Sequence, residues 1–192
     1  MDIQSFFQLC DGKWISQRTT HHLIDQNNQS GRSDLWGEIL EGSHGEIAAL
    51  CQQLDVDPSS ARCGLRLRWS EVTEAYQSRF KPKEEGMALL VAIASDSPHS
   101  GQLLRSLNSA NGVTGTYSIG TDEALTLRLE DANVISEERI WFASPNLRLR
   151  SSSIKKDDTV CITTFCSEIR MATPVESPPA ESTAGQFNAP AV

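Results

Sequence analysis

The sequence predicts a mainly β fold, an antiparallel up-and-down β-barrel of about ten strands with an N-terminal helix and one or two further short helices. Three observations carry that prediction. Apolar and polar residues alternate with period 2 through most of residues 13–171. The alternating stretches are short and are joined by Gly, Asp, Asn and Ser turns of the kind that close antiparallel hairpins. One amphipathic helical stretch precedes them all. A barrel is preferred to a sandwich because closure removes exposed strand edges, and a barrel of about 8 to 10 strands is wide enough to enclose one small ligand.

The elements follow in chain order. In residues 2–10, Ile3, Phe6, Phe7 and Cys10 fall at i, i+3, i+4 and i+7, one face of a short helix that Asp11-Gly12 stops. Period 2 then sets strands at 13–25 and 32–42. Residues 45–56 return to helical spacing with Ile47, Leu50, Cys51 and Leu54, ahead of a stop at Asp57-Pro58. Strands are predicted next at 62–70, 74–80 and 86–94, and a second short helix at 102–110. Five more strands follow at 112–120, 124–131, 136–143, 146–155 and 159–171. Residues 1–171 are thus expected to be one barrel domain, and residues 172–192, rich in Pro, Ala and Ser, a disordered tail with little to bury.

Composition narrows the function classes. Of 192 residues, 39% are hydrophobic and 22% charged, within the range of globular proteins. The net charge of -8 argues against a nucleic-acid partner, since phosphate binding needs clustered cations. No apolar run approaches the roughly 20 residues of a membrane span, and the N-terminus has no secretion-signal pattern. A cytoplasmic location is therefore expected. The cysteines at 10, 51, 63, 161 and 166 are odd in number and contain no C-x-x-C pair, so reduced thiols are expected rather than disulfides or zinc ligands.

Several residues stand out for their chemistry. Gly12-Lys13-Trp14 opens the first strand directly after the helix, and G-x-W there resembles the lipocalin signature, in which the Trp plugs the closed end of the barrel and a late Arg stacks on it. Arg170 on the last strand is the candidate for that stacking. His21 and His22 are adjacent on a strand and point to opposite faces, so they cannot chelate one metal together, and no metal site is expected. Whichever of them faces inward can touch a ligand's polar edge. Leu65, Leu67 and Trp69 alternate with Arg66 and Arg68, which sends the apolar row inward and leaves Trp69 able to stack on a flat ligand or simply to pack. Glu138 shares a face with Ile140 and Phe142. Alternation does not say whether that face looks inward, and an inward carboxylate is costly unless it is paired. The same holds for Arg148, Arg150 and Ser152, which oppose Leu147 and Leu149, and composition by itself turns the arginines outward.

Residues 12–23 (GKWISQRTTHHL), 139–153 (RIWFASPNLRLRSSS) and 163–171 (TTFCSEIRM), taken together, resemble the S/U-type phycobiliprotein lyases, the CpcS/CpeS family of cyanobacteria and some algal plastids. The resemblance runs over 1–171 and implies a fold like that of lipocalins and fatty-acid-binding proteins. It also implies binding of a linear tetrapyrrole, phycocyanobilin or phycoerythrobilin, and its attachment by a thioether bond to a cysteine of a phycobiliprotein α or β subunit. No metal or redox cofactor is implied, and the location becomes the cyanobacterial cytosol or the plastid stroma. A non-catalytic bilin carrier, or one subunit of a homodimeric or heterodimeric lyase, is the alternative.

On this resemblance the arginine row turns inward. Arg148 and Arg150 would hold the two bilin propionates, with Ser152 adding a hydroxyl. Glu138 would accept pyrrole N–H bonds or relay a proton. Trp69 and Trp141 would supply flat surfaces, and Arg18, His21 and His22 polar contacts. The chain departs from the family in having Ala75 and then Tyr76 where a second Trp often follows Trp69, which bears on the preferred bilin.

Overall fold

The computed structural model describes residues 1–72, 85–108, 110 and 112–171 of the 192. Their order is α1 (Ile3–Cys10), β1 (Gly12–His22), β2 (Asn27–Glu41), α2 (Gly45–Gln53), a single 3-10 turn at Pro58–Ser60, β3 (Ala61–Glu71), β4 (Glu85–Ile93), β5 (Ser100–Leu107), β6 (Val113–Ile119), β7 (Leu125–Asp131), β8 (Val134–Ser144), β9 (Leu147–Lys156) and β10 (Thr159–Arg170). Each strand pairs antiparallel with the next, and β10 pairs with β1 to close the barrel. The strand expected at 74–80, the Ala75-Tyr76 departure and the tail from 172 lie outside the described residues.

Helix α1 plugs one end. The Asp2 side chain accepts the Ser5 N–H at 2.8 Å and caps the first turn, and Ile3, Phe6, Phe7 and Cys10 are all buried. They pack among Leu65, Leu90, Leu103, Tyr117, Leu125 and Ile140, inward residues of six strands. Gly12 turns the chain from α1 into β1 with φ +99°, a conformation that residues with a Cβ rarely adopt.

Helix α2 lies against the outside of the barrel, and that placement corrects one element. Residues 102–110 were expected to be helical, yet 100–107 form β5. Leu103 packs in the interior cluster, while its neighbour Leu104 packs outside beneath Ile47, Leu50 and Cys51 of α2. A strand buried on both faces loses its alternation, and adjacent leucines then imitate helical spacing. β4 has the same origin, with Ala88, Leu89, Leu90, Val91, Ala92 and Ile93 buried in succession. One consequence bears on the site: Arg105 of β5, read from sequence as a helix residue, shares the inward face with Leu103 and Leu107.

Candidate functional site

Residues opposite each other on neighbouring strands share a face, so the register determines what the interior contains. Across β1, β10, β9 and β8, three inward rows climb from the plugged end toward the open one. The first holds Ser16, Glu168, Arg148 and Phe142; the second Arg18, Cys166, Arg150 and Ile140; the third Thr20, Thr164, Ser152 and Glu138. The arginine row of β9 therefore faces the interior, against what composition alone suggests.

Those arginines are matched by carboxylates. Arg148 is 4% exposed and Glu168 not at all. Arg148 Nε donates to Glu168 Oε2 at 2.5 Å, and Ser16 Oγ donates to Oε1 at 3.3 Å. Arg150 sits between two acids, with Nη1 donating to Glu138 Oε1 at 3.0 Å and Nη2 lying 3.3 Å from Glu168 Oε1. Its Nη2 also donates to the Cys166 Sγ at 3.4 Å. Burial alone would push the Glu168 carboxyl up, but Arg150 and Arg148 outweigh it and hold the group below the usual carboxylate value. Two guanidiniums thus face two carboxylates, and the deep charges balance.

Beneath them Trp14 is fully buried, and its indole N–H donates to Cys10 O at 3.1 Å. The guanidiniums of Arg170 and Arg148 lie 4.2 Å and 4.6 Å from the Trp14 ring centre. Arg170 also donates to the carbonyls of Asp11 and Leu9 at 2.5 Å and 2.6 Å, tying β10 to the end of α1. Gly12, Trp14 and Arg170 together form the plugged end.

Above this layer the barrel holds a cavity of about 240 Å³. One wall is polar, with Ser16, Arg18, Ser33, Glu138 and Arg150; the facing wall carries Leu67, Trp69, Ala88, Leu90 and Leu107, with Arg105 among them. The Trp69 indole lies across Gly86, where an added Cβ would fall 2.1 Å from the ring. Gly86→Ala is therefore expected to push the indole off that wall. Stability should fall by about 1–3 kcal/mol through overpacking, with a changed Trp emission spectrum, and Trp69→Phe on the same background should recover part of the loss.

The remaining sequence candidates separate by face. Ser152 is inward in the third row, and His22, paired with Ile162, shares the inward face one row nearer the mouth. His21 and Trp141 require correction as interior contacts. His21 is on the outer face with Nδ1 2.7 Å from Asn28 Oδ1, and Trp141 is on the outer face in register with Leu149. Alternation leaves them no other direction, because Arg18 and His22 on β1, and Glu138 and Ile140 on β8, occupy the inner positions.

Sequence reasoning missed four site residues. Glu168 and Cys166 alternate inward along β10, and only their register with Arg148 and Arg150 marks them. Glu71 is two residues beyond Trp69 in the same inward row, and its Oε2 is buried without a hydrogen-bond partner; the period-2 row through Trp69 was a usable signal for it. Arg105 was hidden by the helical reading of its segment. Among the described residues, no group of three or more His, Cys, Asp or Glu could hold a metal ion.

Comparisons with known proteins converge. The family described as CpeS-like protein matches residues 2–171. The chain is 45% identical over 174 residues to chromophore lyase CpcS/CpeS of Thermosynechococcus vestitus, covering 89% of this chain and 93% of that one. It is 35% identical over 190 residues to phycocyanobilin lyase subunit CpcS of Picosynechococcus sp., covering 97% and 93%. Among solved structures, the S-type phycobiliprotein lyase CPES of Guillardia theta superposes with a TM-score of 0.75 at 26% identity, covering 90% of this chain and 94% of that one.

Proposed function

The chain belongs to the CpeS-like protein family, and from that premise we propose that it is a chromophore lyase. It takes a linear tetrapyrrole into the open end of the barrel and attaches it to a cysteine of a phycobiliprotein subunit. The observation that carries this reading is the two-sided cavity: an apolar wall with the Trp69 indole for a flat conjugated ligand, facing a polar wall where Glu138 and Arg150 meet the lumen. Ligand sites of this kind are mostly apolar with a few placed polar groups that fix orientation.

The attachment is an addition. The acceptor sulfur bonds to the ethylidene carbon of ring A, the double bond becomes single, and the thiol proton ends on the adjacent ring carbon. Nothing leaves and no electrons change hands, so the step calls for no redox cofactor. Glu138 is the group to move or hold a proton on the bilin, making the conjugated system more electrophilic, and the Arg150 guanidinium fixes its carboxylate. The cavity holds the bilin in one conformation, so that only one face of ring A meets the incoming thiol. The nucleophile belongs to the partner. The chain's own cysteines at 10, 51, 63 and 166 are buried, and burial pushes the Cys63 thiol up to about 11.

A transfer assay tests the reading. Purified protein mixed with phycocyanobilin or phycoerythrobilin should give a sharpened, shifted absorption band. Adding each apo-subunit should then leave chromophore on the subunit after denaturation. A band without transfer would mark a carrier, and transfer that appears only when a sister lyase subunit is added would mark one half of a heterodimer.

A further inference from the structure

The deep arginines are already neutralised, which raises the question of what meets the two carboxylates a bilin brings. Arg148 is spent on Glu168 and on the Trp14 ring, and Arg150 on Glu138 and Glu168. Two other guanidiniums line the cavity. Arg18 comes from β1, in the second row of the polar wall, and Arg105 from β5, in register with Leu90 of β4. Neither has an ion pair or a hydrogen bond among the described residues. Glu71 comes near Arg18, since a Cβ on Gly31 would lie 3.7 Å from Arg18 Nη2 and 3.8 Å from Glu71 Oε1. Arg105 is in register with Leu90, beside the Ala88–Leu107 pair on the same inner face, and makes no ion pair with a carboxylate among the described residues.

A half-buried guanidinium set among aliphatic side chains gives up hydration without a counter-charge. The arrangement becomes favourable once an anion enters the cavity, and carboxylates match the guanidinium fork. Resting on the reading that the cavity takes a bilin, we propose that Arg105, acting with Arg18, is the carboxylate clamp of this protein. Each takes one propionate, while Arg150 serves to hold Glu138. The two arginines stand four strands apart around the barrel, so they approach the tetrapyrrole from different walls. The propionate-bearing middle of the ligand is thereby held across the cavity with its two ends free. Arg105 becomes a positioning residue, reaching the bilin at a point away from the reacting ring.

The test varies protein and ligand together. Dissociation constants are measured by absorbance titration of the full chain with phycocyanobilin and with its dimethyl ester, which keeps the chromophore and removes both negative charges. The intact protein should prefer the free acid by about 10- to 100-fold, the range expected for hydrogen bonds to charged groups. Arg105→Ala and Arg105→Gln should each weaken acid binding about tenfold or more, leave ester binding within about twofold, and flatten the salt dependence of acid binding. Arg105→Lys should recover part of the acid preference. Because Arg105 has no hydrogen-bond or ion-pair partner among the described residues, thermal midpoints should stay close to that of the parent chain. Equal weakening of acid and ester, or no weakening of either, would overturn the clamp while leaving the bilin reading in place. An intact protein that binds neither ligand would overturn both.

Discussion

Glu168→Ala is expected to cost about 3–5 kcal/mol of folding stability, the range for breaking a buried ion pair by removing one partner. The cause is the company that Glu168 keeps. Its carboxylate is fully buried and receives Arg148, Arg150 and the Ser16 hydroxyl, so truncation leaves two guanidiniums in the barrel interior with one carboxylate between them. Denaturant unfolding reads the loss directly, and a midpoint close to the parent would refute the account. Removing Arg148 and Arg150 together should be damaging for the mirror reason, since it strands Glu168 without a cation. Such a variant is expected to lose its fold and not merely its ligand.

The same group predicts a pH dependence. Glu168 is held below its usual value of 4.5 in the folded state, so the unfolded chain binds the proton more tightly than the folded one. The stability it contributes is fully present above pH 4.5 and is lost as pH falls from there through the lower folded value. In the Glu168→Gln variant that portion of the acid-unfolding slope should be absent.

Glu138→Gln should separate chemistry from folding. The residue is half-buried on the cavity wall, and one hydrogen bond from Arg150 to Oε1 holds it. The amide keeps the size of the side chain and an oxygen for Arg150, so stability should change by no more than about 1.5 kcal/mol. What it loses is the capacity to hold or move a proton. Transfer of bilin to the acceptor subunit should fall by about 100-fold or more, the usual contribution of a positioned acid or base. The bound bilin should meanwhile lose the long-wavelength band of its protonated form. Single-turnover transfer kinetics with absorption spectra of the complex measure both, and an unchanged transfer rate would remove Glu138 from the mechanism.

Legibility in the sequence varied with how many neighbours a residue needed to be understood. α1 was readable because Ile3, Phe6, Phe7 and Cys10 form a helical face within eight residues, and the closed end because Gly12-Lys13-Trp14 follows it directly. Most strands were readable because period 2 is a property of one strand at a time. β5 was misread because its burial comes from α2, about 50 residues earlier in the chain, and Arg105 went unnoticed with it. His21 and Trp141 were singled out for their residue types, while their direction is set by which neighbours face the lumen.

The sequence by itself determined that this chain makes short antiparallel strands closed behind an N-terminal helical plug, because hydrophobic periodicity and turn chemistry are local. It also determined the family, through segments long enough to be recognised. Only the tertiary structure decided which way the arginines of β9 face. Leu147 and Leu149 are as apolar as an inward row needs to be, and nothing within β9 tells the two rows apart. The decision rests on Glu168 and Glu138, which the register of β10 and β8 brings against Arg148 and Arg150. A charge can be buried only beside its counter-charge, and the partner here stands on another strand.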